Sequence, residues 1–164
     1  MARKVAAAQD QQVCYDRIPK CSIIHDLKEI TIKQWQTDWN DTTKGAITKT
    51  YFPSITERLI MSVPSSACIA TILSGHGKIR SYFYRFKIVS DQNCVCGYRE
   101  QTVQHLVNYC PLLDKERNCL KAEVCARERM WPITNYELIS NYLKLFTTFI
   151  ENINFSILVD TDST

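Results

Sequence analysis

Residues 93–110 read NCVCGYREQTVQHLVNYC and hold three of the chain's eight cysteines and one of its three histidines. The order is Cys94, one residue, Cys96, eight residues, His105, four residues, Cys110. A structural zinc site takes four tetrahedral donors from thiolate and imidazole, delivered in local pairs close enough in sequence to reach one ion. The first pair is one residue tighter than the common Cys-x2-Cys, and Gly97 directly after it can take the positive φ that a sharp ligand turn requires. Thr102 is placed to cap about two helical turns over VQHLVNY, the segment that carries His105. Five positions along an ideal helix lie about 140° apart, so an unbroken helix would point Cys110 away from His105. Pro111 removes the conflict. It disfavours helical backbone at Cys110, turns the chain there, and opens a new helix whose N-terminal dipole favours a thiolate at Cys110. The competing reading makes these cysteines small buried apolar groups beside a surface histidine; the breakers Gly97 and Pro111 favour zinc. A Cys3His set around a 2+ ion carries a formal charge near −1 and is coordinatively closed, so its role is structural and not hydrolytic.

The rest of the chain is able to fold around such a site. It has 164 residues, 45% hydrophobic and 23% charged, with 4 Gly and 5 Pro and no biased tract, which suits one domain with a modest core. A net charge of +3 is too small to imply a polyanionic partner by itself. MARKVAAAQDQQ lacks the apolar centre of a signal peptide. The longest apolar stretch, around residues 138–159, is broken by Asn141, Lys144, Glu151, Asn152 and Asn154, so no membrane partner is expected. Cytoplasm or nucleus follows, where cysteines are thiols or metal ligands and the sequons at Asn40 and Asn154 carry no meaning. Cys14, Cys21, Cys68, Cys119 and Cys125 have no companions at ligand spacing.

The pattern predicts a mainly α fold: a small helical domain with a Cys3His zinc knuckle-like site and a C-terminal amphipathic helix. Residues 22–43 form the first helix, with Ile24, Leu27, Thr31, Trp35 and Trp39 on a face that packs on the core and Lys44-Gly45 as its stop. YFPSITERLIMSVPSS reads as a connector, and ACIATILS as a short apolar helix ended by Ser74-Gly75-His76-Gly77. A second helix starts near Lys78, with Ile79, Phe83 and Phe86 on one stripe and no acidic residue from Gly77 to Ser90. On its flanks Lys78, Arg80, Arg85 and Lys87 can meet phosphates, while Tyr82 or Tyr84 can stack bases. The same residues also suit a solvated basic face with tyrosines at the margin of the core. PLLDKERNCLKAEVCARERM reads as a charged helix, and NYELISNYLKLFTTFIENI as an amphipathic one with Leu138, Tyr142, Leu145, Phe149 and Ile153 on its apolar face. LVDTDST closes the chain as a frayed end.

The succession WQTDWNDTTKGAITKTYFP, ILSGHGKIRSYFYRFKI and CVCGYREQTVQHLVNYCP resembles the C-terminal region of the polymerase polyprotein of non-LTR, jockey-like or LINE-type retrotransposons. The resemblance covers roughly residues 1–120 and is most specific over 35–111. Cys94, Cys96, His105 and Cys110 match that family's Cys-Cys-His-Cys motif position by position. MARKVAAAQDQQ is similar to the last helix of the family's RNase H domain. The resemblance therefore implies residues 1–20 as an RNase H remnant and linker, 21–130 as the zinc-containing tail domain, and 131–164 as the amphipathic helix and its end. It also implies that the RNase H carboxylates lie upstream, and the Tyr/Phe-x-Asp-Asp box of reverse transcriptase is absent here. His76 matches the family's Gly-His-Gly, yet has no carboxylate or nucleophile near it in sequence and reads as a structural turn histidine.

Three functions compete. The first is a non-catalytic, zinc-stabilised module that binds RNA or single-stranded DNA, a role the resemblance implies. The second is a structural or protein-interaction zinc module, with the upstream RNase H and reverse transcriptase domains as possible partners. The third, a nuclease or polymerase, is disfavoured because two-metal chemistry needs several convergent carboxylates and the acids here are scattered.

Overall fold

The structure is a computed structural model that describes residues 17–158; residues 1–16, which hold most of the segment expected to be an RNase H remnant, and the chain beyond Leu158 lie outside them. Eight α-helices follow in order among the described residues: α1 (Lys20–Asp41), α2 (Ala46–Tyr51), α3 (Ile55–Ile60), α4 (Ala67–Ser74), α5 (Arg80–Arg85), α6 (Asp114–Ala126), α7 (Asn135–Glu151) and α8 (Phe155–Leu158). A π-helical turn, His105–Tyr109, and a 3-10 turn, Pro111–Leu113, stand between α5 and α6. There is no strand among these residues, only an isolated antiparallel bridge between Asn93 and Glu100. The mainly α class is as the sequence predicts, and no described helix is long and apolar enough to cross a membrane.

The amphipathic helix α7 is the centre of the core. Thr134 caps it by accepting from the Glu137 N–H while the Glu137 carboxylate takes the Thr134 N–H, so two otherwise orphaned donors are satisfied reciprocally. Leu138, Ile139, Tyr142, Phe146, Phe149 and Ile150 on its inner face are buried, and α2, α4 and α6 pack against it. The Tyr51 ring of α2 stacks on Phe146, centroids 5.8 Å apart.

Three helices differ from expectation. Helix α1 does not pack its apolar face into the core: none of its residues is buried, and Trp35 is half exposed. Only Trp39 finds a place, its indole N–H donating to the Phe52 carbonyl with the Lys49 ammonium over the ring. Helix α1 also stops before Lys44-Gly45; Thr42 is already extended, and Gly45, at φ 69°, instead starts α2. The expected connector holds α2's last residue, Tyr51, and all of α3, because Ser54 accepts the Glu57 N–H and so nucleates a turn that composition alone hides. Helix α5 is only six residues long. Lys87 adopts φ 57° and the Ile88 N–H folds back to the Phe83 carbonyl, which ends the helix before the basic run does.

Candidate metal centre

The loop from Cys94 to Arg99 is a tight reversal. Cys94 N–H donates to the Arg99 carbonyl and Gly97 N–H to the Cys94 carbonyl, both at 2.9 Å, and Gly97 sits at φ 73°, a conformation that suits glycine. The Tyr98 N–H lies 3.5 Å from Cys96 Sγ and the Gln101 amide 3.8 Å from Cys94 Sγ, so both sulfurs face polar hydrogens. Downstream, Thr102 accepts the His105 N–H at 3.1 Å, the cap its sequence position predicts.

The difficulty with Cys110 is solved by more than Pro111. From His105 the helix widens into a π turn, and the Cys110 N–H donates to the His105 carbonyl five residues back at 2.7 Å. The wider turn brings residues five apart towards one face, and Cys110 then leaves in extended backbone (φ −63°, ψ 118°) ahead of Pro111. Both devices aim its sulfur at the site.

The four donor atoms lie within 4.8 Å of one another. Cys94 Sγ and Cys110 Sγ are 3.8 Å apart, and Cys96 Sγ is 3.3 Å from His105 Nε2. Metal–sulfur bonds of about 2.3 Å at tetrahedral angles give an edge of about 3.8 Å, so the cluster is the right size to hold a metal ion. Cys94, His105 and Cys110 are buried and Cys96 is half-buried, which leaves little room for solvent. The Cys94 thiol is pulled down to about 4 by its hydrogen bond with Cys110, with burial acting against the shift, and the same contact pushes Cys110 up. A 2+ ion held by these sulfurs would displace their thiol protons.

Sequence reasoning missed two residues that serve this centre. Arg117, buried on α6, donates to the carbonyls of Val107 (2.7 Å), Leu106 (2.9 Å) and Cys110 (2.9 Å) and pairs with Asp114. It closes the exit of the π turn and sets a positive charge behind the thiolates; burial lowers its pKa while Asp114 and Cys110 hold it up. Gln101 is fully buried, accepting the Arg80 N–H at 2.8 Å and donating to the Leu158 carbonyl at 2.6 Å. Both sit among charged or polar neighbours in the sequence, and no local pattern marks them as internal.

The proposed phosphate- and base-contacting residues do not all share a surface. Arg80 is 5% exposed, its guanidinium on Asp91 and its N–H donating to the buried Gln101 side chain, so it is withdrawn from solvent. Tyr82 is half-buried beneath His76, Phe86 and Arg85. Lys78, Tyr84, Arg85 and Lys87 are exposed, and so is Phe86, at 57%, whereas Ile79 of the same stripe is buried. The His76 N–H donates to Ser74 Oγ and its ring lies against Tyr82, centroids 5.1 Å apart. Among the other cysteines, Cys21, Cys119 and Cys125 are exposed and Cys68 half-buried, none in a disulfide; Cys14 is outside the described residues.

No family model matches the chain, and no solved structure does. Two curated proteins do. The chain is 27% identical over 95 residues to the Retrovirus-related Pol polyprotein from type-1 retrotransposable element R1 of Bradysia coprophila, a match covering 56% of this chain and 9% of that protein. It is 22% identical over 147 residues to the protein of the same description from Popillia japonica, covering 81% of this chain and 56% of that one. The chain thus spans about a tenth of the first and about half of the second, and its similarity to both supports a retrotransposon origin.

Proposed function

We propose that this chain is a non-catalytic, zinc-stabilised accessory module of a retrotransposon Pol polyprotein that binds single-stranded RNA or DNA. The similarity to R1 Pol polyproteins supports the origin, and a closed Cys3His set supports zinc in a structural role. One observation carries the binding: Lys78, Tyr84, Arg85, Phe86 and Lys87 are exposed on a stretch with no acidic residue from Gly77 to Ser90. The Arg85 guanidinium lies 5.3 Å from the Tyr82 centroid and 5.4 Å from that of Phe86, so part of the surface is pre-ordered. Exposed rings beside cations suit bases and phosphates respectively.

Fluorescence anisotropy with a labelled single strand at increasing salt tests the proposal. Three phosphate contacts give a log–log slope of about −2. Lys78→Ala with Arg85→Ala should flatten that slope, and Phe86→Ala should weaken binding at every salt concentration. A chain that binds neither RNA nor DNA strands at low salt is instead a structural module, a reading that the unburied helix α1 favours.

A further inference from the structure

Helix α1 has 22 residues and buries none of them. A helix of that length runs about 33 Å. Its fixed points lie at its C-terminal end, where Gln36 bonds to the Pro53 carbonyl and the Ile55 N–H, and Trp39 bonds to the Phe52 carbonyl. The N-terminal half projects with Ile23, Ile24, Leu27 and Ile30 exposed, between 42% and 63% each. Ile23, Leu27 and Ile30, spaced by four and three, form one stripe. Asp26 and Lys33 flank that stripe on the same side, seven residues apart, and Lys33 is 79% exposed with only a long contact to Glu29 at 3.9 Å.

We propose that two copies of this chain pair through α1 in antiparallel fashion, Leu27 of one against Ile30 of the other. That register seats Ile23 against the second copy's Gln34 and sets Asp26 beside the second copy's Lys33, twice by symmetry. A parallel register places Asp26 beside Thr31 and loses both pairs. It also brings the two helical bodies, which sit at the C-terminal end of α1, to the same end. The charge pattern is therefore self-complementary in one orientation only. The contact is made by half of one helix and is small, at the low end for specific interfaces, so the dimer should dissociate on dilution. This inference is independent of the nucleic-acid reading, whose variants at Lys78, Arg85 and Phe86 lie outside α1.

Sedimentation equilibrium of the full chain loaded with zinc, at concentrations up to about 300 µM, should show a monomer–dimer equilibrium. Leu27→Glu should abolish it. Asp26→Lys and Lys33→Asp should each weaken it about five-fold or more, and the two together should restore it. Circular dichroism confirms that α1 stays helical in each variant. Monomer throughout the range, a dimer indifferent to Leu27→Glu, or charge exchange without recovery overturns the proposal and leaves the stripe to another chain.

Discussion

The Cys110 N–H donates to the His105 carbonyl, and this single i to i+5 bond places two of the four metal donors on the same side of their helix. A π turn is equivalent to one extra residue in an α-helix. Inserting one alanine after Tyr109, which is 43% exposed, puts the Cys110 sulfur six positions from His105 and should swing it away from the site in either helical form. Elemental analysis of that variant should then find far less than one metal per chain, whereas Tyr109→Ala should keep full occupancy.

On the proposed zinc-bound state, loss of the ion should be costly. Cys94, His105 and Cys110 lie inside the same core as α6 and α7, and an emptied site leaves thiolates there to repel or take up protons. Chelation, Cys96→Ser or His105→Ala should each destabilise the chain by on the order of 5 kcal/mol or more. Denaturant titration with and without zinc checks this, and identical curves would remove the structural role.

Arg117 offers a separate handle on the same region. Arg117→Met leaves three buried carbonyls without their donor, at a cost of about 3 kcal/mol or more. Arg117→Lys keeps the charge but presents no planar fork, so it should recover less than half of that loss. Urea unfolding of the zinc-loaded variants gives both values.

Tyr51 points the other way. Its ring is fully buried against Phe146, yet its hydroxyl has no hydrogen-bond partner among the described residues, and burial pushes its pKa up. Tyr51→Phe keeps the stacking and removes an unsatisfied group, so it should raise stability by about 1 kcal/mol. A thermal scan showing a lowered melting temperature would mean that the hydroxyl has a partner in solution.

The cap of α7 predicts an acid dependence. Glu137 is held below its ordinary value of 4.5, first by the Thr134 N–H, then by the Thr134 hydroxyl and by Arg129. The unfolded chain therefore binds a proton more readily than the folded one. The cap's stability is complete above about pH 4.5 and is lost as the pH falls through the lower folded value. Glu137→Gln should flatten that acid limb of the stability profile, as followed by circular dichroism at 222 nm in metal-saturated protein.

Much of this architecture is readable from residue spacing, and the exceptions have physical causes. Leu138, Tyr142 and Phe149 announce α7 because a single helix face repeats over many turns. The Cys3His cluster is legible because Gly97 and Pro111 punctuate it. The π turn is not, since its residues, HLVNY, suit an α-helix equally well and no residue type among them marks the wider form. Arg117 and Arg80 look like surface cations because burial of a charge depends on carbonyls and a carboxylate brought in from elsewhere in the chain. Helix α1 shows the reverse: an apolar pattern that the described chain leaves uncovered.

The bond from Gln101 to the Leu158 carbonyl joins positions 57 residues apart and meets the Cys94 sulfur through the same amide nitrogen. Anyone trimming this protein for crystallisation therefore has a firm limit. A version ending before Leu158 takes away an anchor of the metal loop although it deletes no ligand, while cuts within the first turns of α1 leave that anchor in place.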